Sequence, residues 1–142
     1  MLVDYPNAQG GEPGGRRRRI LILDDEPIVG RQLKPTLEKL GFEVEAFEDP
    51  VAAIGRLDAC AFDIVVTDLR MDDVDGIQVL EHVLRHGTET KVILITGYAT
   101  VEVAREAMVK GAFDFIAKPF KPGDLRAVVT RAVEALDHQG VA

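Results

Sequence analysis

Asp24, Asp25 and Glu26 follow one short apolar run of this 142-residue chain, Asp68 ends a second, Thr96 ends a third and Lys118 follows a fourth. Carboxylates brought together repel one another and call for a cation. With no His or Cys among them, the oxygen-only donor set suits Mg²⁺, which binds through one or two carboxylates together with phosphate oxygens and water. An ammonium and a hydroxyl opposite such an ion are the parts needed to cradle a phosphoryl group. The chain has no GxxxxGK[ST] loop, no GxGxxG after the first apolar run and no GxSxG turn, so nucleotide, dinucleotide and serine-hydrolase chemistry lack their signatures. A carboxylate is then the natural phosphoryl acceptor, attacking as a nucleophile to give an aspartyl phosphate.

For these groups to converge, the apolar runs must be neighbouring parallel strands whose carboxyl ends share one rim. The pattern predicts strands over 20–23, 43–47, 64–67, 92–95 and 114–117, the second a weaker alternating run suited to a sheet edge. Helical periodicity lies between them. A helix over 26–40 carries Ile28, Leu33, Leu37 and Leu40, stops at Gly41, and is expected to kink at Pro35. Asp49 and Pro50 read as the cap and first residue of the second helix, and Asp75-Gly76 opens the third. That third helix has Ile77, Leu80 and Leu84 on one face and closes at Gly87. Thr100, with Val101, Ala104 and Met108, begins a fourth closed by Gly111, and Leu125, Val128, Val129, Ala132 and Leu136 stripe a fifth. The expected fold is α/β: a doubly wound (βα)5 parallel sheet of order 2-1-3-4-5, with its ligand site beyond the strand ends where the order reverses.

Composition narrows the class. Hydrophobic residues make up 46% of the chain, enough to bury one core, and 17 Lys and Arg against 24 Asp and Glu leave a net charge of −7. Such a surface repels nucleic-acid phosphates and anionic lipid, so no nucleic-acid or membrane partner is expected. The lone Cys60 excludes an intramolecular disulfide and a Cys-based zinc site and reads as a small apolar residue. No run reaches the roughly 18 apolar residues of a membrane span, which favours a cytoplasmic protein. Residues 1–18, rich in Gly and Pro, read as a flexible tail, and the Arg16–Arg19 run at its junction with the domain as a solvated basic lead-in. The folded domain is expected over 19–138, with 139–142 a short tail.

The strand-end series LILDDEP, VVTDLRM, LITGYA and FDFIAKPF resembles the receiver domain of two-component response regulators, over about residues 19–138, and GAFDFIAKPF is similar to receivers of the NtrC and DctD type. The resemblance implies a CheY-like, flavodoxin-like fold. It implies that Asp68 is the phosphoacceptor, Asp25 a direct Mg²⁺ ligand and Asp24 a ligand mainly through water, with the backbone carbonyl of Arg70 completing the coordination. It further implies that Thr96 is the switch hydroxyl, Lys118 the phosphoryl partner, Phe115 the aromatic switch, and Lys118-Pro119 a cis bond. A sensor histidine kinase would supply the phosphoryl group. The face built by the fourth helix, fifth strand and fifth helix would then bind a downstream protein, a histidine phosphotransfer partner or a second copy.

The chain departs from the family pattern in places. Asp72 stands where Pro is common, and with Asp73 and Asp75 it makes an acidic loop, read as solvated with Asp75 as a helix cap. Phe115 lacks a hydroxyl, and Tyr98 and Arg70 border the expected site. His82, His86 and His138 lie at helical positions without companion ligands and are read as surface residues. The expected protein is a single-domain switch with weak phosphotransfer and autodephosphorylation activity. Two alternatives stand beside it. One is a Mg²⁺-dependent aspartyl-phosphate phosphatase of the haloacid-dehalogenase kind, whose DxD motif LILDDEP does not match; the other is a receiver excised from a longer DNA-binding regulator.

Overall fold

The computed structural model describes residues 17–71, 75–86, 89–97 and 101–141. Asp72, Asp73, Tyr98, the expected helix stop Gly87 and the expected helix start Thr100 lie outside them. The elements alternate as β1 (Arg19–Leu23), α1 (Pro27–Glu38), β2 (Glu43–Phe47), α2 (Pro50–Ala59), β3 (Ile64–Asp68), α3 (Gly76–Arg85), β4 (Lys91–Thr96), α4 (Val101–Val109), β5 (Asp114–Ala117) and α5 (Pro122–Val141). All strand pairs are parallel and the sheet order is β2-β1-β3-β4-β5, as the pattern predicts. The last helix continues past residue 138 to Val141.

Strand residues alternate between two cores because successive side chains leave opposite faces of the sheet. Ile20, Ile22, Ile64, Val66, Ile93 and Ile95 meet α1 and α5 on one face. Leu21, Leu23, Val65, Val92 and Leu94 meet α2, α3 and α4 on the other. Every residue of β3 is buried, whereas β2 and β5, at the edges, are only partly so.

Helix boundaries follow their capping chemistry. Asp49 accepts a hydrogen bond from the Val51 N–H at the start of α2, with Pro50 at its first position. Asp75 and Gln78 form a reciprocal capping box at α3. Gly41 and Gly111 take positive φ, 100° and 114°, to end α1 and α4. Helix α1 runs through Pro35, which is exposed and leaves the Arg31 carbonyl one turn earlier without its N–H partner.

The helix faces differ from the periodicity reading. Ile28 is 56% exposed; Leu33 and Leu37 bury α1. In α3 the buried stripe is Val79, Leu80 and Val83, and Leu84 turns partly outward. In α4 Met108 is exposed and Ala107 takes the core position. An amphipathic stripe spans a broad arc, and the neighbouring helices decide which edge of it is covered. Arg18 departs from the expected solvated lead-in, because its guanidinium lies 2.6 Å from Asp137 on α5 and 3.5 Å from Asp63 before β3. Arg19 reaches Glu43 and Glu45 of β2 and stacks 5.1 Å over the Phe62 ring.

Candidate functional site

Strand register assembles the site. Leu23 pairs with Thr67, Asp68 with Ile95, and Thr96 with Ala117. Asp24, Asp68, Thr96 and Lys118 therefore arrive at successive strand ends along one rim. Pro27 then turns the chain into α1, leaving Asp25 and Glu26 in the short β1–α1 connection. Gly76 at the start of α3 is required by a close approach: a Cβ there would lie 2.6 Å from the Asp68 carbonyl oxygen and 2.8 Å from Leu69 Cα. Its N–H donates to the Leu69 carbonyl, 2.8 Å, closing the β3–α3 loop on itself.

At the centre, Lys118 Nζ lies 2.8 Å from Glu26 Oε1, 3.0 Å from Asp24 Oδ2 and 3.1 Å from Asp68 Oδ2. The Lys118-Pro119 bond is cis, and the Lys118 N–H donates to the Thr96 carbonyl. Burial by itself would lower the pKa of this ammonium. The hydrogen bonds it donates to Glu26 and Asp68, with the negative charge of Asp24 beside it, outweigh that effect and hold it above its ordinary value. Asp24, 2% exposed, shows the converse. Burial pushes its carboxyl up, with the Asp68 charge adding to the rise, against the opposing Glu26 N–H and Lys118.

Asp68 is 6% exposed and accepts the Arg70 N–H on Oδ1 at 3.0 Å. Asp24 Oδ1 accepts the Glu26 N–H at 2.8 Å, whereas its buried Oδ2, though near Lys118, has no hydrogen-bond partner in acceptable geometry. One carboxylate oxygen from each of Asp24, Asp25 and Asp68 lies within 4.8 Å of the others. This all-oxygen donor set with an orphaned buried acceptor fits a hard divalent cation. Asp25, Asp68, Arg70, Gly97 and Lys118 line a cleft of about 1130 Å³ that extends over Val29, Leu33 and Phe120.

Thr96 is buried at the end of β4. By strand alternation it shares a sheet face with Leu94, and Phe115 on β5 packs into that same core beneath α4. The two residues named as a switch pair thus occupy one layer.

A family model for the response regulator receiver domain matches residues 20–130. The chain belongs to the response regulator receiver family. The regulatory protein AtoC of Escherichia coli is 41% identical over 116 residues, covering 82% of this chain and 25% of AtoC. The transcriptional regulatory protein FixJ of Bradyrhizobium diazoefficiens is 34% identical over 80% of this chain and 56% of FixJ. The receiver therefore spans between a quarter and a little over half of these relatives. Among solved structures, the amino-terminal part of FixJ superposes with a TM-score of 0.75 at 34% identity, over 84% of this chain and 95% of that one. A CheY-like receiver domain protein from Methanospirillum hungatei gives 0.79 at 31% identity, over 86% and 98%. Receivers of this family are phosphorylated by histidine kinases and generally hold Mg²⁺ at an acidic site. No helix among the described residues of this receiver is long and apolar enough to cross a membrane.

Sequence reasoning left three features unassigned. Glu26 was visible as the third acid of the DDE run, but its bond to Lys118 spans 92 positions. Gly76 was visible as a helix start, not as the residue that admits the Asp68 backbone. His82 and His86, read as lacking companions, both approach Asp58 of α2.

Proposed function

We propose that this receiver is a phosphoacceptor switch in which Asp68 takes a phosphoryl group from the phosphohistidine of a sensor histidine kinase. A carboxylate oxygen of Asp68 attacks phosphorus, the new P–O bond forms as the P–N bond breaks, and the imidazole leaves with the electron pair. The observation that carries the reading is the shared Lys118 ammonium, which holds Asp24 and Asp68 at one strand-end rim open to the cleft. It keeps the Asp68 carboxylate oriented and supplies a positive charge beside the incoming phosphoryl oxygens. Asp24, Asp25, Asp68 and the Arg70 carbonyl would hold Mg²⁺, whose chemistry when bound is to neutralise developing charge on the phosphoryl oxygens. Water reaching the rim would later hydrolyse the acyl phosphate and reset the switch.

Added charge at Asp68 would draw the Thr96 hydroxyl toward the phosphoryl oxygens and free space for the Phe115 ring in the shared layer. That shift would bias the α4–β5–α5 face between two arrangements. Exposed Met108 and Val109 on α4 give this face apolar surface for a downstream protein, a histidine phosphotransfer partner or a second copy. The test is intact-protein mass after incubation with acetyl phosphate and Mg²⁺, for the wild type and Asp68→Asn. One added phosphoryl group that requires both Mg²⁺ and Asp68 is the expected result. No gain in the folded wild type, or an equal gain in Asp68→Asn, would overturn the assignment. Sustained turnover of phosphate monoesters would point to a phosphatase.

A further inference from the structure

His82 on α3 and His86 at its C-cap lie four residues apart, so their imidazoles leave the same side of the helix end. Their rings stand 4.6 Å apart, centroid to centroid. Both Nε2 atoms converge on one oxygen of Asp58 from the neighbouring helix α2: His82 Nε2 is 2.8 Å and His86 Nε2 3.6 Å from Asp58 Oδ1. A simple His–Asp pair uses one imidazole; here two address the same carboxylate oxygen.

The tautomer of His86 sharpens the point. Its Nδ1 lies 2.8 Å from the His82 backbone carbonyl. A carbonyl oxygen only accepts, so Nδ1 carries the proton, and in the neutral ring the Nε2 lone pair then faces the Asp58 carboxylate. Two acceptors face to face are reconciled by a second ring proton or by a metal ion between them. The same bond is the outer support that metal-binding imidazoles use to fix ring and tautomer.

Ligand spacing agrees with a small transition metal. Bonds of 2.0–2.1 Å to a tetrahedral ion put ligand atoms about 3.3 Å apart, and the observed 2.8 and 3.6 Å bracket that edge. Asp58 is in the last turn of α2 and His86 is the C-cap of α3. Two helix C-termini, each with its negative dipole end, thus face the site and favour a positive ion.

We propose that Asp58, His82 and His86 form a three-ligand site for a divalent transition metal of the Zn²⁺ type, clamping the C-terminal ends of α2 and α3. Two imidazoles and a carboxylate select Zn²⁺, Co²⁺ or Ni²⁺ over Mg²⁺, and a water completes the tetrahedron. In a βα unit the helix C-terminus lies beside the amino ends of the strands. Accordingly His82 and His86 border a cleft with Phe62 and Thr90, just before β3 and β4. The site therefore occupies the rim opposite Asp68, and its metal is independent of the acidic cluster there.

The probe is Zn²⁺, titrated by calorimetry into untagged full chain with excess Mg²⁺ present to occupy the acidic rim. One Zn²⁺ per chain is expected, with a rise in Tm of about 5 °C or more once the site is saturated. His82→Gln, His86→Gln and Asp58→Asn should each weaken binding by about tenfold or more, and Asp68→Asn should leave it unchanged. Co²⁺ should give visible absorption that the His82→Gln/His86→Gln double variant lacks. Asp58 and His86 are exposed and His82 is half-buried, so far-UV circular dichroism and phosphorylation at Asp68 report whether the variants are folded. Absence of Zn²⁺ binding by the wild type, undiminished binding by the double variant, or loss of binding in Asp68→Asn would each overturn the site.

Discussion

Lys118 and a divalent cation address the same oxygens, since Nζ sits 3.0 and 3.1 Å from Asp24 Oδ2 and Asp68 Oδ2. A unit charge about 5 Å from a divalent cation opposes it by roughly 7 kcal/mol at an effective dielectric near 20, and solvent at the open cleft reduces this several-fold. Lys118→Gln is therefore expected to tighten Mg²⁺ binding about tenfold, read by calorimetry, while lowering the yield of phosphorylated Asp68. Asp24 is a second case of function set against stability. Its folded carboxyl sits above the ordinary 3.8, so the folded state holds the proton more tightly than the unfolded state. The contribution of this group to stability consequently falls as pH rises from about 3.8 through the folded value. Asp24→Asn keeps an acceptor for the Glu26 N–H and is expected to stabilise the metal-free protein by about 1 kcal/mol at pH 7. Urea titrations in chelator should give that difference at pH 7 and none near pH 3.5.

At the level of elements, the β3–α3 junction is the tightest constraint on the site. Because a Cβ on Gly76 would meet the Asp68 and Leu69 backbone at 2.6 and 2.8 Å, Gly76→Ala must displace the strand end that carries Asp68. We expect a loss of about 1–3 kcal/mol in urea denaturation and slower phosphorylation by acetyl phosphate at saturating Mg²⁺. The β2 edge is held differently. Arg56 on α2 donates from Nε and Nη2 to Glu45 at 2.7 and 2.8 Å. The hydrogen bond from Arg56 holds the Glu45 carboxyl below its ordinary 4.5. A depressed carboxylate stabilises the fold above its unfolded pKa and loses that contribution as pH falls through the folded value. Glu45→Gln should cost about 0.5 kcal/mol at pH 7, the scale of a solvent-screened pair, and the difference should shrink as pH falls below 4.5 through the folded value.

On the scale of the whole molecule, the sheet separates two ends with different chemistry: an all-oxygen rim at the strand carboxyl ends and a histidine-containing cluster at the opposite end. Between them the α4 surface leaves Val109 82% exposed beside Met108, an apolar area that a monomer gains nothing by displaying. If phosphorylation at Asp68 biases this face toward self-association, the acetyl-phosphate-treated receiver should elute as a dimer in size-exclusion chromatography with light scattering. Val109→Glu should remain monomeric while accepting the phosphoryl group normally.

Local sequence determined the strands, the capping residues Asp49, Asp75, Gly41 and Gly111, and the order in which Asp24, Asp25, Asp68, Thr96 and Lys118 meet the rim, because period-2 and period-3.6 patterns and turn chemistry act over a few residues. Tertiary structure alone decided which edge of each helix stripe is buried, leaving Ile28 outside and Val79 and Val83 inside. It also decided that Glu26 shares Lys118 with the acidic pair, that Arg18 spans to Asp137, and that Asp58 meets His82 and His86. Those pairs join residues 92, 119 and 24 positions apart. A charge or an imidazole carries no local signal of its distant partner; only closure of the sheet and packing of neighbouring helices bring the two within bonding distance.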